Sequence, residues 1–326
     1  MPTTTPQADP LALVAADMTA LDGVIAQHLH SQVPLVGQVT QYIIGAGGKR
    51  LRPALLLLMA GALEVQGPQR LTLAAVVEFI HTATLLHDDV VDESTLRRGR
   101  ATANQAFGNP ASVLVGDFLY SRAFQMMVDV NDMRVMQVLA DATNVIAEGE
   151  VLQLVQIRNT SMTEDDYLQV IRSKTAKLFE ASARLPALLA HASEDLESAC
   201  ALFGQALGTA FQVVDDALDY SGDAAAMGKN LGDDLREGKV TLPLICTLQR
   251  VADDERELLE NAIREGDVSQ LPRLLALIRD SGGLRAALAL AHAEARVAQD
   301  ALRALPHNRY TDAMHTLTEE LLQRAR

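Results

Sequence analysis

Long apolar segments without proline are the feature that most constrains how this chain can fold. Residues 71–91, 111–130 and 200–220 are mostly apolar, contain no proline and show no useful alternation with period two. Aromatic residues make up only 4% of the chain and Trp is absent, whereas Ala and Leu, which favour helices, dominate the apolar set. Helices that are apolar nearly all round are buried. The sequence therefore predicts an all-α fold with its central helices in the core.

Short breaks, most of them containing glycine, separate the helical segments. They lie at 45–48, 67–68, 98–99, 108–110, 221–222, 238 and 281–283. No repeat, low-complexity tract or linker divides the chain, so we predict a single helical domain over residues 1–326. We expect residues 1–10, which are polar and contain proline, to be disordered, and the acidic segments after Val251 to form peripheral helices.

Charge and cysteine content exclude several classes of function. A formal net charge of -14 argues against nucleic acid as a partner. Cys200 and Cys246 offer neither a disulfide framework nor a metal-binding spacing, which is typical of a reducing compartment. The N-terminus lacks the pattern of a signal peptide, and the uncharged apolar run at 53–63 is too short to cross a bilayer. We therefore expect a cytoplasmic protein without a transmembrane segment.

Two aspartate clusters of the form D-D-x-x-D each close an apolar segment. Residues four apart share one face of a helix, so the first and last aspartates of each cluster point the same way. The two clusters are Asp88, Asp89 and Asp92, and Asp215, Asp216 and Asp219.

Three carboxylates at the C-terminal end of a helix repel one another and meet the unfavourable end of the helix dipole. A hard divalent cation relieves both effects, and Mg²⁺ commonly bridges a few carboxylates to substrate phosphates. An acidic helix end in solvent is a sufficient explanation for one such cluster alone. Two clusters, each on a helix of the buried type, favour a Mg²⁺ site that binds a phosphorylated substrate.

Positive charge is concentrated in two short segments. Lys49, Arg50 and Arg52 follow a pair of glycines, and Arg97, Arg98 and Arg100 follow the first aspartate cluster. The guanidinium group binds phosphate oxygens through paired hydrogen bonds. A solvated basic loop is the alternative, but the position directly after a metal-type motif favours phosphate binding.

These motifs together resemble the trans-prenyltransferases. The resemblance rests on G-G-K-R-L-R-P at 47–53, on the first aspartate cluster through Arg98, and on G-D-D at 232–234 leading to Lys239. Residues 78–104, EFIHTATLLHDDVVDESTLRRGRATAN, are similar in particular to the branch that makes octaprenyl diphosphate for bacterial quinones. The similarity runs from about Gly45 to Pro243. It implies a bundle of long antiparallel helices around a deep central cavity, the isoprenoid synthase type of fold.

The resemblance also implies roles for individual residues. An allylic diphosphate would be held by Mg²⁺ between the two aspartate clusters, and isopentenyl diphosphate would bind a separate basic pocket. That pocket would use Lys49, Arg52, His81 and Arg98. The allylic diphosphate would be contacted by Arg97, Lys174, Thr175, Gln212, Lys229 and Lys239, with Lys174 also counted as catalytic.

Three of these assignments keep an ordinary structural alternative. His81 lies about two turns before Asp88 and is open to a reading as a buried, hydrogen-bonded histidine. The less favoured alternative for Lys174 is a solvated helix face, and that for Gln212 is a core amide.

The implied reaction suits these residue types. Mg²⁺ and cationic side chains stabilise the departing diphosphate, the isopentenyl double bond attacks the resulting allylic cation, and a proton is lost. No protein nucleophile is required, and an apolar cavity protects the cation from water.

The resemblance also implies that product length is set by side chains that line the pocket near the first aspartate cluster. Ala83 and Thr84 are small, so we expect an open pocket and a long product, and the resemblance implies eight isoprene units. Phe124, Met126 and Met127 are candidates for the floor of the pocket, with ordinary core packing as their alternative.

Other readings remain open from the sequence. A medium-chain synthase of the geranylgeranyl type, a terpene cyclase, and a non-catalytic partner subunit or lipid-binding bundle are the alternatives. The resemblance further implies farnesyl diphosphate as the primer, a role in ubiquinone biosynthesis, a homodimer formed through Ala- and Leu-rich helices, and peripheral membrane contact for product release.

Overall fold

The computed structural model describes residues 9–45, 47–97, 99–221 and 231–324, and nearly all of them are helical or in short connections between helices. The prediction of an all-α fold is confirmed. The first half of the chain contains a 3₁₀-helix (Pro10–Val14), α1 (Ala15–His28), α2 (Pro34–Ile44), α3 (Leu51–Ala62), α4 (Gln69–Val91), α5 (Ala103–Phe107), α6 (Asn109–Val130) and α7 (Met133–Gln156). The second half contains α8 (Glu164–Ile171), a π-helical turn (Arg172–Ala176), α9 (Lys177–Leu189), α10 (Glu194–Leu218), α11 (Asp233–Arg236), α12 (Leu242–Leu248), α13 (Asp253–Glu265), α14 (Leu271–Asp280), α15 (Gly283–Leu302) and α16 (Arg309–Gln323).

Within the described part of the chain, a small antiparallel hairpin is the exception to the helical pattern. Strands β1 (Leu96–Arg97) and β2 (Arg100–Ala101) pair Leu96 with Ala101 and Arg97 with Arg100. Gly99, at the turn, has a φ of 72°, a left-handed conformation that favours glycine. Gly99, the described residue of the predicted break at 98–99, therefore lies in a turn, and Arg97 on β1 bonds back to Asp89 near the end of α4.

The predicted apolar segments correspond to α4, α6 and α10, and they pack as expected. Helix α4 lies against α6 and α3, and α10 lies against α9 and α15. Residues 54–60 of α3 are all buried, as befits a helix that is apolar nearly all round. The single-domain organisation stays a prediction.

Two glycines allow α10 to approach α9 closely. A Cβ at Gly208 would lie 2.7 Å from Ala176 Cα, and one at Gly204 would lie 2.4 Å from Phe179 O. These distances are too short for a real side chain, so the contact requires glycine at both positions. The close approach fixes the end of α10, which bears the second aspartate cluster, against the turn before α9.

The sequence-based expectations fail at two places. Helix α15 is not peripheral, because Ala287, Ala291, Ala295 and Ala298 form a buried stripe on a helix that packs along α10. The three- and four-residue spacing of these alanines was visible in the sequence. The prediction that residues 1–10 are disordered was also wrong at Pro10, because Pro10 is buried and begins the 3₁₀-helix. Residues 1–8 lie outside the described residues.

One stretch of the described residues is long and apolar enough, by length and composition, to cross a membrane. It is Pro10–His28, with a mean hydropathy of 1.2. Two aspartates interrupt this stretch, so it contains no long uncharged run. A single stretch of this kind near the N-terminus is weak evidence for a membrane span, because core helices and signal sequences meet the same criteria.

Candidate active site

Both aspartate clusters lie at the C-terminal ends of their helices and meet at one cavity. Helix α4 ends at Val91 with Asp92 as its C-cap, and α10 ends at Leu218 with Asp219 as its C-cap. Asp88, Asp92 and Asp215 line a central cavity of about 500 Å³. The deep cavity that the sequence predicted is therefore present, and it receives the first and last aspartates of the first cluster together.

Asp89 points elsewhere. Its side chain is fully buried, and its Oδ1 accepts hydrogen bonds from Arg97 Nε at 2.9 Å and Arg97 Nη2 at 2.7 Å. Asn104 Nδ2 donates to the backbone oxygen of Asp89. Burial raises the pKa of the Asp89 carboxyl, and the Arg97 guanidinium opposes that rise. Asp89, predicted as a metal ligand, instead anchors Arg97, whose guanidinium lines the cavity.

Asp216 and Asp219 face a smaller side cavity of about 150 Å³, which Asp215 and Asp234 also line. Tyr167 OH donates to Asp216 Oδ2 at 2.6 Å, and Gln212 Nε2 donates to Asp216 Oδ1 at 2.7 Å. Burial, and then the neighbouring Asp234, raise the pKa of Asp216 to about 8, although both hydrogen bonds favour the charged form. Asp219 Oδ2 accepts from the backbone N–H of Asp234 at 3.1 Å.

The π-helical turn between α8 and α9 brings Lys174 and Thr175 to the cavity together. Such turns are rare and frequently occur at functional sites. Lys174 Nζ lies 3.7 Å from Asp88 Oδ2 and closer to two side chains of α7. Thr175 Oγ1 donates to Gln212 Oε1 at 2.9 Å, so Gln212 links Thr175 to Asp216. Gln212 is thus part of a polar network rather than an isolated core amide.

Lys239 joins the first aspartate cluster from the other side. Its Nζ lies 2.8 Å from Asp92 Oδ2 and 2.7 Å from Glu237 Oε2. The ammonium group is largely buried, and it lines both cavities. Lys229 and Arg98 lie outside the described residues.

The described residues of the predicted basic pocket line the same cavity as the aspartates. Lys49, Arg52 and His81 all line it, and Arg52 Nη1 lies 3.2 Å from His81 Nε2. The Arg52 guanidinium also lies 4.5 Å above the Phe179 ring. Burial lowers the pKa of Arg52 to about 10, and the carboxylate of Glu78 opposes this shift. Arg52 therefore remains charged at neutral pH in a largely desolvated site.

Of the predicted chain-length residues, only Thr84 lines the cavity, and its Oγ1 donates to His81 O at 2.8 Å. Ala83, Met126 and Met127 are buried but are not among the described residues of the cavity wall. Phe124 is 38% exposed on the outside of α6, so its prediction as a floor residue is wrong. Phe124 precedes Met126 and Met127 by only two and three residues, but a helix turns by about 100° per residue, which places Phe124 on a different face of α6.

Several residues at the site had no signal in the sequence. Glu150 and Gln153 come from α7, and Tyr167 comes from α8. Arg324 follows the last helix, and its Nη2 lies 3.9 Å from Asp215 Oδ1. None of them is adjacent to a recognisable motif, and only tertiary packing brings them to the aspartates.

The side chains of the cavity suit a divalent cation. Asp88, Asp92 and Asp215 offer carboxylate oxygens, the ligands that Mg²⁺ prefers, in a cavity that cationic residues also line. Among the described residues, no three His, Cys, Asp or Glu side chains are gathered tightly enough to form a metal site by themselves. Mg²⁺ generally completes its ligands with water and substrate phosphates, and this donor set fits that mode.

Comparison with known proteins agrees with this geometry. Residues 33–278 match the model of the polyprenyl synthetase family. The chain belongs to this family. It is therefore a prenyltransferase, and the resemblance seen in its motifs is confirmed.

Individual relatives cover nearly the whole chain. The octaprenyl diphosphate synthase of Escherichia coli K12 is 46% identical over 96% of this chain and 98% of its own. An all-trans-nonaprenyl-diphosphate synthase (geranyl-diphosphate specific) of Rhodobacter capsulatus is 45% identical, with 97% of each chain covered. The polyprenyl synthase of Caulobacter crescentus CB15, solved with calcium and isoprenyl diphosphate, has a TM-score of 0.93 and 43% identity, covering 100% of this chain and 99% of its own. Proteins of this family use a divalent metal to bind diphosphate.

Proposed function

We propose that this chain elongates an allylic diphosphate by repeated addition of isopentenyl diphosphate and releases a long all-trans polyprenyl diphosphate, with Mg²⁺ as its cofactor. One observation carries the proposal. Carboxylates from both aspartate clusters and the cations Lys49, Arg52 and Arg97 line the same cavity. A cavity lined by both carboxylates and cations is suited to bind two diphosphates, one through a metal and one directly.

Asp88, Asp92 and Asp215 would hold Mg²⁺, which when bound neutralises negative charge on the departing diphosphate. Arg97 and Lys174 add positive charge from the cavity wall, where the low dielectric strengthens it. Arg97 is held in place by the buried carboxylate of Asp89. Lys239, bonded to Asp92, neutralises part of the aspartate charge until substrate arrives.

The second diphosphate, that of isopentenyl diphosphate, would bind Lys49, Arg52 and His81. Arg52 is fixed by His81 and by the Phe179 ring, so it presents its remaining N–H groups without a large loss of side-chain entropy on binding. The contribution of Arg98 to this pocket is a prediction from the resemblance.

Apolar side chains of the same cavity would protect the reacting carbons. Ile43, Leu85, Ile146, Leu178 and Phe211 line the cavity together with the charged residues. This wall excludes water from the allylic cation. Attack by the isopentenyl double bond forms the new carbon–carbon bond, and we assign the departing proton to the released diphosphate, so that no protein base is required.

For the product we propose eight isoprene units and farnesyl diphosphate as the primer. The octaprenyl relative is 46% identical and the nonaprenyl relative 45% identical, which supports a long product. Thr84 is the small side chain in the cavity wall one turn from Asp88, which supports a long product over the medium-chain alternative. The proposed setting is cytoplasmic synthesis of the ubiquinone side chain, with product release by peripheral membrane contact.

We further propose a homodimer that pairs through the outer faces of α6 and α7. Exposed apolar side chains lie at the start of α7 (Met133) and at its end, where Val151, Leu154 and Val155 are spaced by three and four residues and share a face. Met133 is 79% exposed, and Val151 and Leu154 continue the same face. Leu114, Phe124 and Val128 extend it onto α6. Burial of this face explains its composition. Sedimentation equilibrium that gives only the monomer mass would remove this proposal.

The decisive experiment is a product assay with labelled isopentenyl diphosphate, farnesyl diphosphate and Mg²⁺, with an EDTA control. A ladder that ends near eight units and disappears with EDTA is the expected result. A ladder that stops at four units would support the medium-chain synthase, and cyclised hydrocarbon would support a terpene cyclase. No elongation by folded protein with several primers would favour the non-catalytic subunit or lipid-binding bundle.

A further inference from the structure

Three acceptors surround the ammonium group of Lys174, and two of them come from a segment of α7 that has no assigned role. Lys174 Nζ lies 2.5 Å from Glu150 Oε2 and 2.8 Å from Gln153 Oε1. The third acceptor, Asp88 Oδ2, is at 3.7 Å, beyond hydrogen-bond distance. Lys174 therefore lies beside the first aspartate cluster but is bonded to α7.

The backbone of α7 is shaped for this contact. A Cβ at Gly149 would lie 2.7 Å from Lys174 N and 2.8 Å from Ser173 Cβ. Glycine at this position lets α7 touch the π-helical turn directly. Glu150 and Gln153 are three residues apart on α7, so they share a face and reach Lys174 side by side.

The charges explain why the contact matters. Burial, and then the nearby Asp88, raise the pKa of Glu150 to about 7, while Lys174 opposes the rise. Two carboxylates thus flank one ammonium group, and the closer one holds it. Lys174 has two described ion pairs, with Glu150 and with Asp88. If Glu150 lost its charge, the pair with Asp88 would remain. Lys174 would then need to move less than 1 Å to hydrogen-bond Asp88.

We propose that Gly149, Glu150 and Gln153 form a holder for Lys174, in which Glu150 is the positioning residue that keeps the ammonium group off Asp88. The carboxylate of Asp88 then remains available to a divalent cation, while Lys174 stays within reach of a bound diphosphate. This inference rests on the proposed function and adds a positioning residue to it.

The test is Glu150→Gln, which keeps the shape of the side chain and removes its charge. We expect the Mg²⁺ concentration for half-maximal velocity and the KM for the allylic diphosphate to rise about tenfold, the effect of losing one charge-assisted hydrogen bond. The kcat at saturating Mg²⁺ should change much less. Calorimetric titration of Mg²⁺ with inorganic pyrophosphate should show the same weakening without turnover.

Glu148→Gln is the matched control. Glu148 lies two residues earlier on α7, is exposed, and accepts a hydrogen bond from Asn144 Nδ2 at 3.0 Å. The substitution makes the same change of charge on the same helix but away from Lys174. Both the Mg²⁺ requirement and the pyrophosphate titration should therefore match those of the unsubstituted protein.

A double-mutant cycle with Lys174→Met separates positioning from a direct role of Glu150. When Lys174 is absent, Glu150→Gln should no longer weaken Mg²⁺ binding. The inference is overturned if Glu150→Gln behaves like Glu148→Gln, or if its effect persists in the Lys174→Met background. If the unsubstituted protein fails to elongate, the proposed function fails, but the pyrophosphate titration still decides whether Glu150 acts through Lys174.

Discussion

The placement of Asp89 gives a prediction that separates two roles for neighbouring aspartates. Asp88 lines the central cavity, whereas Asp89 is fully buried and accepts two hydrogen bonds from Arg97. Asp89→Asn should therefore leave the Mg²⁺ requirement nearly unchanged, because the carboxylate that it removes is not on the cavity wall. Asp88→Asn should raise that requirement strongly and lower turnover by about 100-fold or more, as expected for loss of one strong electrostatic contact.

The free energy of unfolding should instead depend on the buried pair of Asp89 and Arg97. Removing one partner of a buried ion pair costs about 3–5 kcal/mol because a desolvated charge is left behind. Arg97 is a quarter exposed and can recover some hydration, while the Asp89 carboxylate cannot. We therefore expect Arg97→Met to lower the free energy of unfolding by about 3 kcal/mol, near the low end of this range. Asp89→Asn should cost less, about 1.5 kcal/mol for the lost charged hydrogen bond.

The pH dependence gives an internal check on this reasoning. Burial already raises the pKa of Asp89, and Arg97 restrains it. In Arg97→Met the folded-state pKa rises further above its unfolded value. The folded protein then binds the proton more tightly than the unfolded chain, so the deficit of this variant should shrink as the pH falls.

Urea unfolding at two pH values measures these changes in the free energy of unfolding for Arg97→Met, Asp89→Asn and the double variant. Added to the elongation assay over a range of Mg²⁺ concentrations, it tests both roles. The double variant should be more stable than the sum of the single losses predicts. The reasoning is refuted if Asp89→Asn raises the Mg²⁺ requirement as much as Asp88→Asn, or if Arg97 and Asp89 show no coupling energy.

Three further predictions concern the cavity, the second aspartate cluster and the core. Thr84→Phe places an aromatic ring in the cavity wall, about 6 Å along the helix axis from Asp88, so the product should stop after the first few additions; chromatography of the products that shows an unchanged ladder would contradict this. The folded-state pKa of Asp216 is raised to about 8 from an ordinary value near 4, so metal-free protein in EDTA should lose stability as the pH rises from about 4 to about 8, and Asp216→Asn should flatten that slope in urea unfolding; equal slopes would count against it. Gly208→Ala should lower the free energy of unfolding by about 1–3 kcal/mol through overpacking against Ala176, whereas a neutral effect in thermal unfolding would show that α9 and α10 can separate without cost.

Local periodicity in the sequence was sufficient for the central helices and for the shared face of Asp88 and Asp92. Proline-free apolar segments predicted α4, α6 and α10, since a helix repeats every 3.6 residues whatever it packs against. The same spacing indicated that the first and last aspartates of a cluster point together. The motif of two glycines and three cations, together with the aspartate clusters, was specific enough to indicate the family.

Only the tertiary structure decided which side chains meet. Asp89 pairs with Arg97 because a hairpin folds back under α4, and Lys174 pairs with Glu150 because Gly149 lets α7 touch the π-helical turn. Phe124 faces outward although Ala123, Met126 and Met127 are buried. Contacts between distant segments depend on how helices rotate and cross, and a shift of one residue turns a helix face by about 100°. Spacing within one helix cannot specify that rotation, so the partners of each charged group emerged only from the packed fold.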